Sequence, residues 1–355
     1  MAKILFAGVP GGPEKHEIRL EYGSGRRLYS FFDIYDGGRL STIRGEIMKN
    51  KVDLFLDSGA FSAWTQGAEI DIQEYIKFIK NHLDVINVYA NLDVIGVGGK
   101  QPNRLTAEKT LENQRIMEDA GLTPIPVFHY GEPEEDFLKY YVDNYDYIAI
   151  GVAGNTGDKL KPWLDRCFGN YICKSNGMPK TKVHGFAVTS LRIMLRYPWY
   201  SVDSTSWVVT GRMGSIYVPR QRDGKWVYDE DSWKIAVSSR SPASKEAGKH
   251  INTLPPKQKQ LVLDYIHYKG YQLGKSSFKT VSADYELKEN ERWASKKPKD
   301  KTAKREVEVI EEPGICNKYQ LRDEMNIIYF QDLERSMSEW PWPFKKKNKI
   351  QGFGL

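Results

Sequence analysis

Short apolar runs recur along the first part of the chain, and most are followed by a stretch of helical periodicity. The runs occupy residues 3–9 (KILFAGV), 52–56 (VDLFL), 85–92 (VINVYANL), 123–128 (TPIPVF), 147–150 (YIAI), 183–188 (VHGFAV) and 199–202 (WYSV). Between them, Asp71 and Glu74 are spaced like a capping box, and Ile72, Tyr75, Ile76 and Ile79 then keep one helical face apolar. A second helical pattern covers 106–120 and closes on Gly121. A third starts with Pro133 as its first residue and runs through Tyr145; others reach about Tyr171 and Arg196. Strands alternating with helices indicate βαβ units and a parallel sheet. With an eighth strand inside 18–44, the simplest arrangement is an α/β fold: a TIM-type (β/α)8 barrel with insertions and a C-terminal α/β extension. A doubly wound sheet would favour a glycine-rich first turn of dinucleotide-binding spacing, and Gly8-Val-Pro-Gly11-Gly12 lacks that spacing.

After Trp207 the pattern changes. Residues 216–219 and 225–228 flank Arg222-Asp-Gly224, which reads as a hairpin turn. Residues 255–270 and 319–337 read as helices, and 287–304 as a charged, exposed linker or arm. The expected organisation is a barrel core with the site over 1–210 and a hairpin and helical extension over 211–355, open to nucleic-acid contacts. The chain has 355 residues, enough for a barrel of roughly 250 with insertions. A net charge of +6 suits a polyanionic partner. Three cysteines, Cys167, Cys173 and Cys316, argue against a disulfide framework and for a reducing compartment. The N-terminal apolar run is too short to span a bilayer and no cleavable signal follows it, so a cytoplasmic protein with no membrane partner is expected.

In a barrel, residues at the C-terminal ends of the strands surround the active site. Four runs end in Asp57, Asp93, His129 and Asp203. Each alone is an ordinary turn former or helix cap; together they make a candidate site. Several carboxylates without a metal-binding motif suit glycosyl chemistry, in which one carboxylate attacks C1′ and another group handles the leaving group's proton. Gly59, Gly151 and Gly154 would let a planar base approach the backbone, and Phe61, Tyr130 and Trp207 are aromatics able to stack on it. No cofactor or catalytic metal is expected. A reading of another class, a metal-dependent barrel hydrolase, would use Asp57, His129 and Asp203 as ligands, but no H-x-H or HExxH motif is present. A nucleic-acid-binding protein without catalysis would leave the shared placement of the acids unexplained.

These residues carry a family resemblance. Asp57-Ser-Gly-Ala-Phe61 resembles the DSGGF segment of tRNA-guanine transglycosylases. Gly151-Val-Ala-Gly154 is similar to that family's base-binding loop, and Tyr200-Ser-Val-Asp203 to its late strand with the nucleophilic Asp. The ordered set over 54–207 most resembles the shorter, phage-type DpdA proteins, which place 7-deazaguanines in DNA. The resemblance implies a DNA-guanine transglycosylase that exchanges guanine for a free 7-deazaguanine base, with tRNA as the alternative substrate. It implies Asp203 as nucleophile, Asp57 as acid/base, and Asp93, Gly151 and Val152 as contacts to the base, with Ser58 and Phe61 beside them. His129 stands near the family's base-reading Gln, a departure. The family's zinc module, with clustered Cys and a His after the last strand, is also missing: Cys167 and Cys173 precede the last two strands and Cys316 stands alone. A three-Cys zinc site completed by a distant His stays open.

Overall fold

The structure, a computed structural model, describes residues 2–8, 25–35, 39–49, 51–96, 102–152, 160–188, 190–228, 230–241, 246–282, 284–294 and 304–345. It divides into two units, Met1–Thr205 with Gln331–Leu355, and Ser206–Phe330.

The first unit is built on β1 (Lys3–Ala7), β2 (Arg26–Ser30), β3 (Asp53–Asp57), β4 (Val88–Tyr89), β5 (Val127–His129), β6 (Tyr147–Gly151), β7 (Lys182–Phe186) and β8 (Ser201–Ser204). They form one eight-stranded sheet in the order β4-β3-β2-β1-β8-β7-β6-β5, and every pairing is parallel. Near the two ends of that order Ala90 and Ile125 form a further parallel bridge, with the Asn91 N–H donating to the Ile125 carbonyl at 3.0 Å. A curled, all-parallel sheet with intervening helices is consistent with a TIM-like α/β fold. The eighth strand is β2, inside the interval the alternation left for it. Its sequence, RRLYS, hides the pattern because Arg27 is buried and sits over the Phe6 ring, 5.6 Å from its centroid.

Side-chain alternation sorts each strand into two faces. In β3, Leu54 and Leu56 join a cluster with Tyr75, Ile76 and Ile79 of the helix Ile72–Asn81. Phe55 points the other way, into a cluster with Leu5, Ala7, Leu28, Ala90, Ile125, Val127 and Ala149, on or beside five other strands. Phe55 there stacks on His184 of β7, ring centroids 4.6 Å apart. Since β3 and β7 lie four places apart in the sheet, that contact requires the sheet to curl round on itself. Asp57 shares the face of Phe55, as every second residue must, so the end of β3 presents its carboxylate toward the interior's mouth.

The helices follow local rules. The Asp71 carboxylate accepts from the N–H groups of Gln73 and Glu74, at 2.7 and 3.0 Å. Glu74 does not complete a capping box; it accepts from the Tyr35 hydroxyl. Pro133 is the residue before the helix, which begins as a π-helical turn over Glu134–Leu138 and continues as Lys139–Asn144. The strand expected over 85–92 contracts to β4, so Asp93 sits in the loop beyond it.

The second unit has β9 (Ser215–Val218) paired antiparallel with β12 (Trp233–Ala236), and a hairpin of β10 (Arg220–Arg222) and β11 (Lys225–Val227). Asp223 and Gly224 turn that hairpin with φ of 48° and 76°, the double positive φ of a type I′ turn. The partner of 216–218 is thus β12, and the hairpin is the shorter pair inside it. Ile216, Val218 and Ile235 pack with Val262, Tyr265 and Ile266 of the helix Pro256–Tyr268. A three-stranded antiparallel sheet follows, β13 (Lys275–Val281), β15 (Arg305–Glu312) and β14 (Glu291–Trp293) in the order β13-β15-β14. β14 lies inside the stretch read as a charged linker. It is held there because Arg292 Nε donates to the buried Glu308 at 2.8 Å. Residues 295–303 lie outside the described residues. Among the described residues, no helix is long and apolar enough to cross a membrane.

Candidate active site

Five strand ends or the loops after them supply the site: Asp57 and Ser58 from β3, Asp93 after β4, His129 from β5, Gly151 from β6 and Asp203 from β8. All belong to the first unit. Asp93, His129 and Asp203 are buried, and Asp57 is partly exposed.

A chain of hydrogen bonds joins β3, the Asp93 loop and β5. The Ser58 hydroxyl donates to Asp93 Oδ1 at 2.6 Å, and His129 Nε2 meets Asp93 Oδ2 at 2.9 Å. On the other side of the ring, His129 Nδ1 lies 3.4 Å from Glu132 Oε1, and the His129 backbone N–H donates to Glu132 Oε2 at 2.8 Å. Burial opposes a charge on His129, but the Glu132 carboxylate and the hydrogen bonds to Asp93 and Glu132 outweigh it and raise its pKa to about 10. His129 is therefore an imidazolium at neutral pH, held between two carboxylates, with both N–H groups taken. Ser58 likewise faces Asp93, and it also accepts the Ala60 N–H at 3.1 Å.

Asp57 behaves differently. Burial, then the charges of Asp93 and Asp203, push its pKa well above the ordinary carboxylate range, against hydrogen bonds from the N–H groups of Gly59 and Ser58. Like charges crowd the site, and their repulsion favours the protonated form of Asp57. The Tyr75 hydroxyl donates to the Ala90 carbonyl at 2.9 Å. Burial first, then the charges of Asp57 and Asp93, raise its pKa.

Asp203 is oriented from β7. Its Oδ1 accepts the Ala187 N–H at 2.7 Å. Ala187 holds a φ of 54°, a left-handed conformation that costs an alanine about 1–2 kcal/mol. That turn is what aims its N–H at the carboxylate.

Two glycines make the arrangement possible. A Cβ on Gly59, where φ is +79°, would stand 2.2 Å from Ser30 Oγ. A Cβ on Gly151 would stand 2.6 Å from His129 Cδ2, so the histidine ring packs against the β6 backbone where only glycine fits.

No protein-family model, curated protein or solved structure matches the chain.

The geometry brings Asp57, Asp93, His129, Ser58, Gly151 and Asp203 together. Val152 follows Gly151 and is buried. Phe61 is 45% exposed on the helix Ala60–Thr65, with its ring 6.0 Å from that of Trp64. Tyr130 packs edge-on against Trp163, and Trp207 is buried in the second unit. Gly154 lies outside the described residues. The three cysteines are free and buried, and burial raises the thiols of all three. Among the described residues, no group of three or more His, Cys, Asp or Glu side chains is placed to hold a metal ion.

Sequence reasoning passed over Glu132 and His184. Glu132 had a signal: an acid three residues after a strand-end histidine, across a glycine that turns the chain back, with Gly131 at a φ of 103°. His184 had one as well, since it shares the parity of Phe186 in β7 and must face the interior.

Proposed function

We propose that this protein is a base-exchange glycosyltransferase that replaces guanine in DNA with a 7-deazaguanine base through a covalent intermediate on Asp203. The observation that carries the reading is the division of labour among the acids. Burial and the charges of Asp93 and Asp203 favour a protonated Asp57, while Asp203 is oriented by the N–H of Ala187, in a left-handed turn just after the neighbouring strand. One carboxyl able to give a proton beside another fixed for attack is the equipment glycosyl transfer needs.

The steps balance. An Asp203 oxygen bonds to C1′ as the C1′–N9 bond breaks, and the departing purine takes the electron pair and the Asp57 proton. The incoming base then returns a proton to Asp57 and attacks C1′ through its ring nitrogen, and Asp203 leaves as a carboxylate. Asp93 accepts hydrogen bonds from the donor edge of the guanine with the lone pairs that Ser58 and His129 leave open. His129 acts on the base through Asp93, because both its N–H groups are engaged. Gly151 and Val152 offer backbone groups, and Phe61, exposed at the start of its helix, offers a face for stacking.

Support for a nucleic-acid partner comes from the charge and from the second unit. There, Arg220 lies over Trp233 at 4.3 Å and Lys269 over the exposed ring of Tyr268 at 4.8 Å, cation–aromatic pairs of the kind that meet phosphates and bases. Arg212 is exposed, while Arg222 is paired with Glu230. DNA is preferred to tRNA because the zinc module of the tRNA enzymes is not recognisable in the sequence. The target nucleotide must leave the stack to expose C1′, at a cost of roughly a few kcal/mol. The test is a competition between duplex DNA and tRNA for a labelled 7-deazaguanine. Label in DNA supports the reading, label only in tRNA moves the assignment to the alternative, and label in neither overturns it.

A further inference from the structure

We infer that His184 is the positioning residue for Asp203: it holds one carboxylate oxygen from beneath and leaves the other to attack. The inference rests on the proposed role of Asp203. The side chain is fully buried on the interior face of β7, stacked on Phe55 and edge-on to Phe186, ring centroids 4.6 Å apart in both cases. An aromatic residue would fill that place without burying a polar nitrogen. The two nitrogens of the histidine have different surroundings. Nδ1 lies 2.6 Å from Ser201 Oγ, and Ser201 Oγ lies 2.6 Å from the Tyr147 hydroxyl. Nε2 makes no hydrogen bond among the described residues, and Asp203 Oδ1 stands 3.4 Å from it.

Those distances fix the direction of the chain of hydroxyls. A lone pair on Nε2 would face the lone pairs of a carboxylate and be repelled, whereas a hydrogen on Nε2 is attracted. With that hydrogen on Nε2, Nδ1 accepts from Ser201, and Ser201 in turn accepts from Tyr147. Tyr147, Ser201, His184 and Asp203 thus form one wire across β6, β8 and β7, ending on the oxygen that Ala187 also holds. A buried N–H without an acceptor is unfavourable, and a small reorientation of Asp203 toward Nε2 would relieve it. Hydrogen bonds of this kind are often long in a resting site and tighten during reaction. Two donors on Oδ1 leave Oδ2 as the nucleophile. The same donors receive the charge that returns to the carboxylate when Asp203 leaves C1′ in the second step.

Two independent measurements test this. The first needs no substrate: side-chain 15N–1H spectra of the histidines in the full chain, with His184 assigned by its loss in His184→Phe. The expected result is a proton on Nε2, an unprotonated Nδ1, and a shift of the Nε2–H signal in Asp203→Asn. A proton on Nδ1, or no response to Asp203→Asn, overturns the inference. The second is kinetic. His184→Phe keeps the ring packing and is expected to lower kcat about 10²-fold, with KM within about threefold, the scale for removing one donor from a reacting carboxylate or oxyanion. His184→Gln can accept from Ser201 and donate toward Asp203, and should recover a large part of the loss. Ser201→Ala, which frees the ring without removing it, should lower kcat in the same direction by less. Wild-type kcat in His184→Phe, or equal loss in the Phe and Gln variants, overturns the role. If the wild type exchanges no base, the proposed function fails, and the spectra still decide whether His184 is coupled to Asp203.

Discussion

At the scale of single residues, two protonation states run against ordinary expectation, and each leads to a prediction. Asp57 has a folded-state pKa raised above its unfolded value, so it contributes stability below the unfolded pKa and loses it as pH rises through the folded one. Between the two pKa values the unfolded chain gains by shedding a proton that the fold favours keeping. Asp57→Asn removes that penalty without changing shape. The variant should melt higher than the wild type at pH 7, with the difference fading near pH 3–4, while base exchange drops by about 10²-fold or more. A lower melting temperature at pH 7, or near-normal turnover, would contradict the assignment. His129 is raised from 6.5 to about 10 against its own burial, chiefly by Glu132. Its contribution to stability is complete below about pH 6.5 and is lost as pH rises toward 10. Glu132→Gln should bring the titration of His129, followed by NMR, down toward neutrality and begin the alkaline loss of stability earlier. An unchanged titration would assign the shift to Asp93 instead.

At the scale of elements, the site depends on how closely strands approach one another. Gly151→Ala puts a methyl group into the His129 ring, and the ring cannot retreat because Asp93 and Glu132 hold both its nitrogens. Destabilisation of about 1–3 kcal/mol, the range for overpacking, is expected in denaturant unfolding, with a loss of base affinity as Asp93 shifts. A neutral effect on both would mean that His129 does not lie on β6 as described. Much of this layer was legible in the sequence, because strands buried on both faces read as apolar runs and their last inward residue follows by parity. Asp57, Asp93, His129 and Asp203 were found as the residues on which such runs end, although Asp93 stands in the loop after β4. β2 was placed only as an interval, since buried arginine and serine mask its run. β13, β14 and β15 went unread because charged pairs such as Arg292–Glu308 stabilise a strand without an apolar signature. Glu132 and His184 were missed for a related reason: a buried polar residue declares its partner in space, and spacing along the chain does not show that Ser201 or Asp203 stands opposite.

At the scale of the whole molecule, the net charge of +6 and the exposed cations of the second unit argue for a polyanion held largely through phosphates. Phosphate contacts position a duplex and carry little sequence information, so affinity for unrelated duplexes should be similar and should fall steeply with salt. The logarithmic slope should approach roughly −0.9 per phosphate neutralised. A flat salt dependence would remove the electrostatic case for a nucleic-acid substrate. The proposed chemistry, however, turns on one bond, between Asp203 and C1′. Duplex DNA incubated with the enzyme without an acceptor base, quenched under denaturing conditions and digested, should yield a peptide containing Asp203 that carries a deoxyribose-linked mass. That peptide should disappear when a 7-deazaguanine is added before the quench, and should never form in Asp203→Asn. An adduct on Asp57 or on any other residue, or none at all from an enzyme that exchanges bases, would contradict Asp203 as the nucleophile.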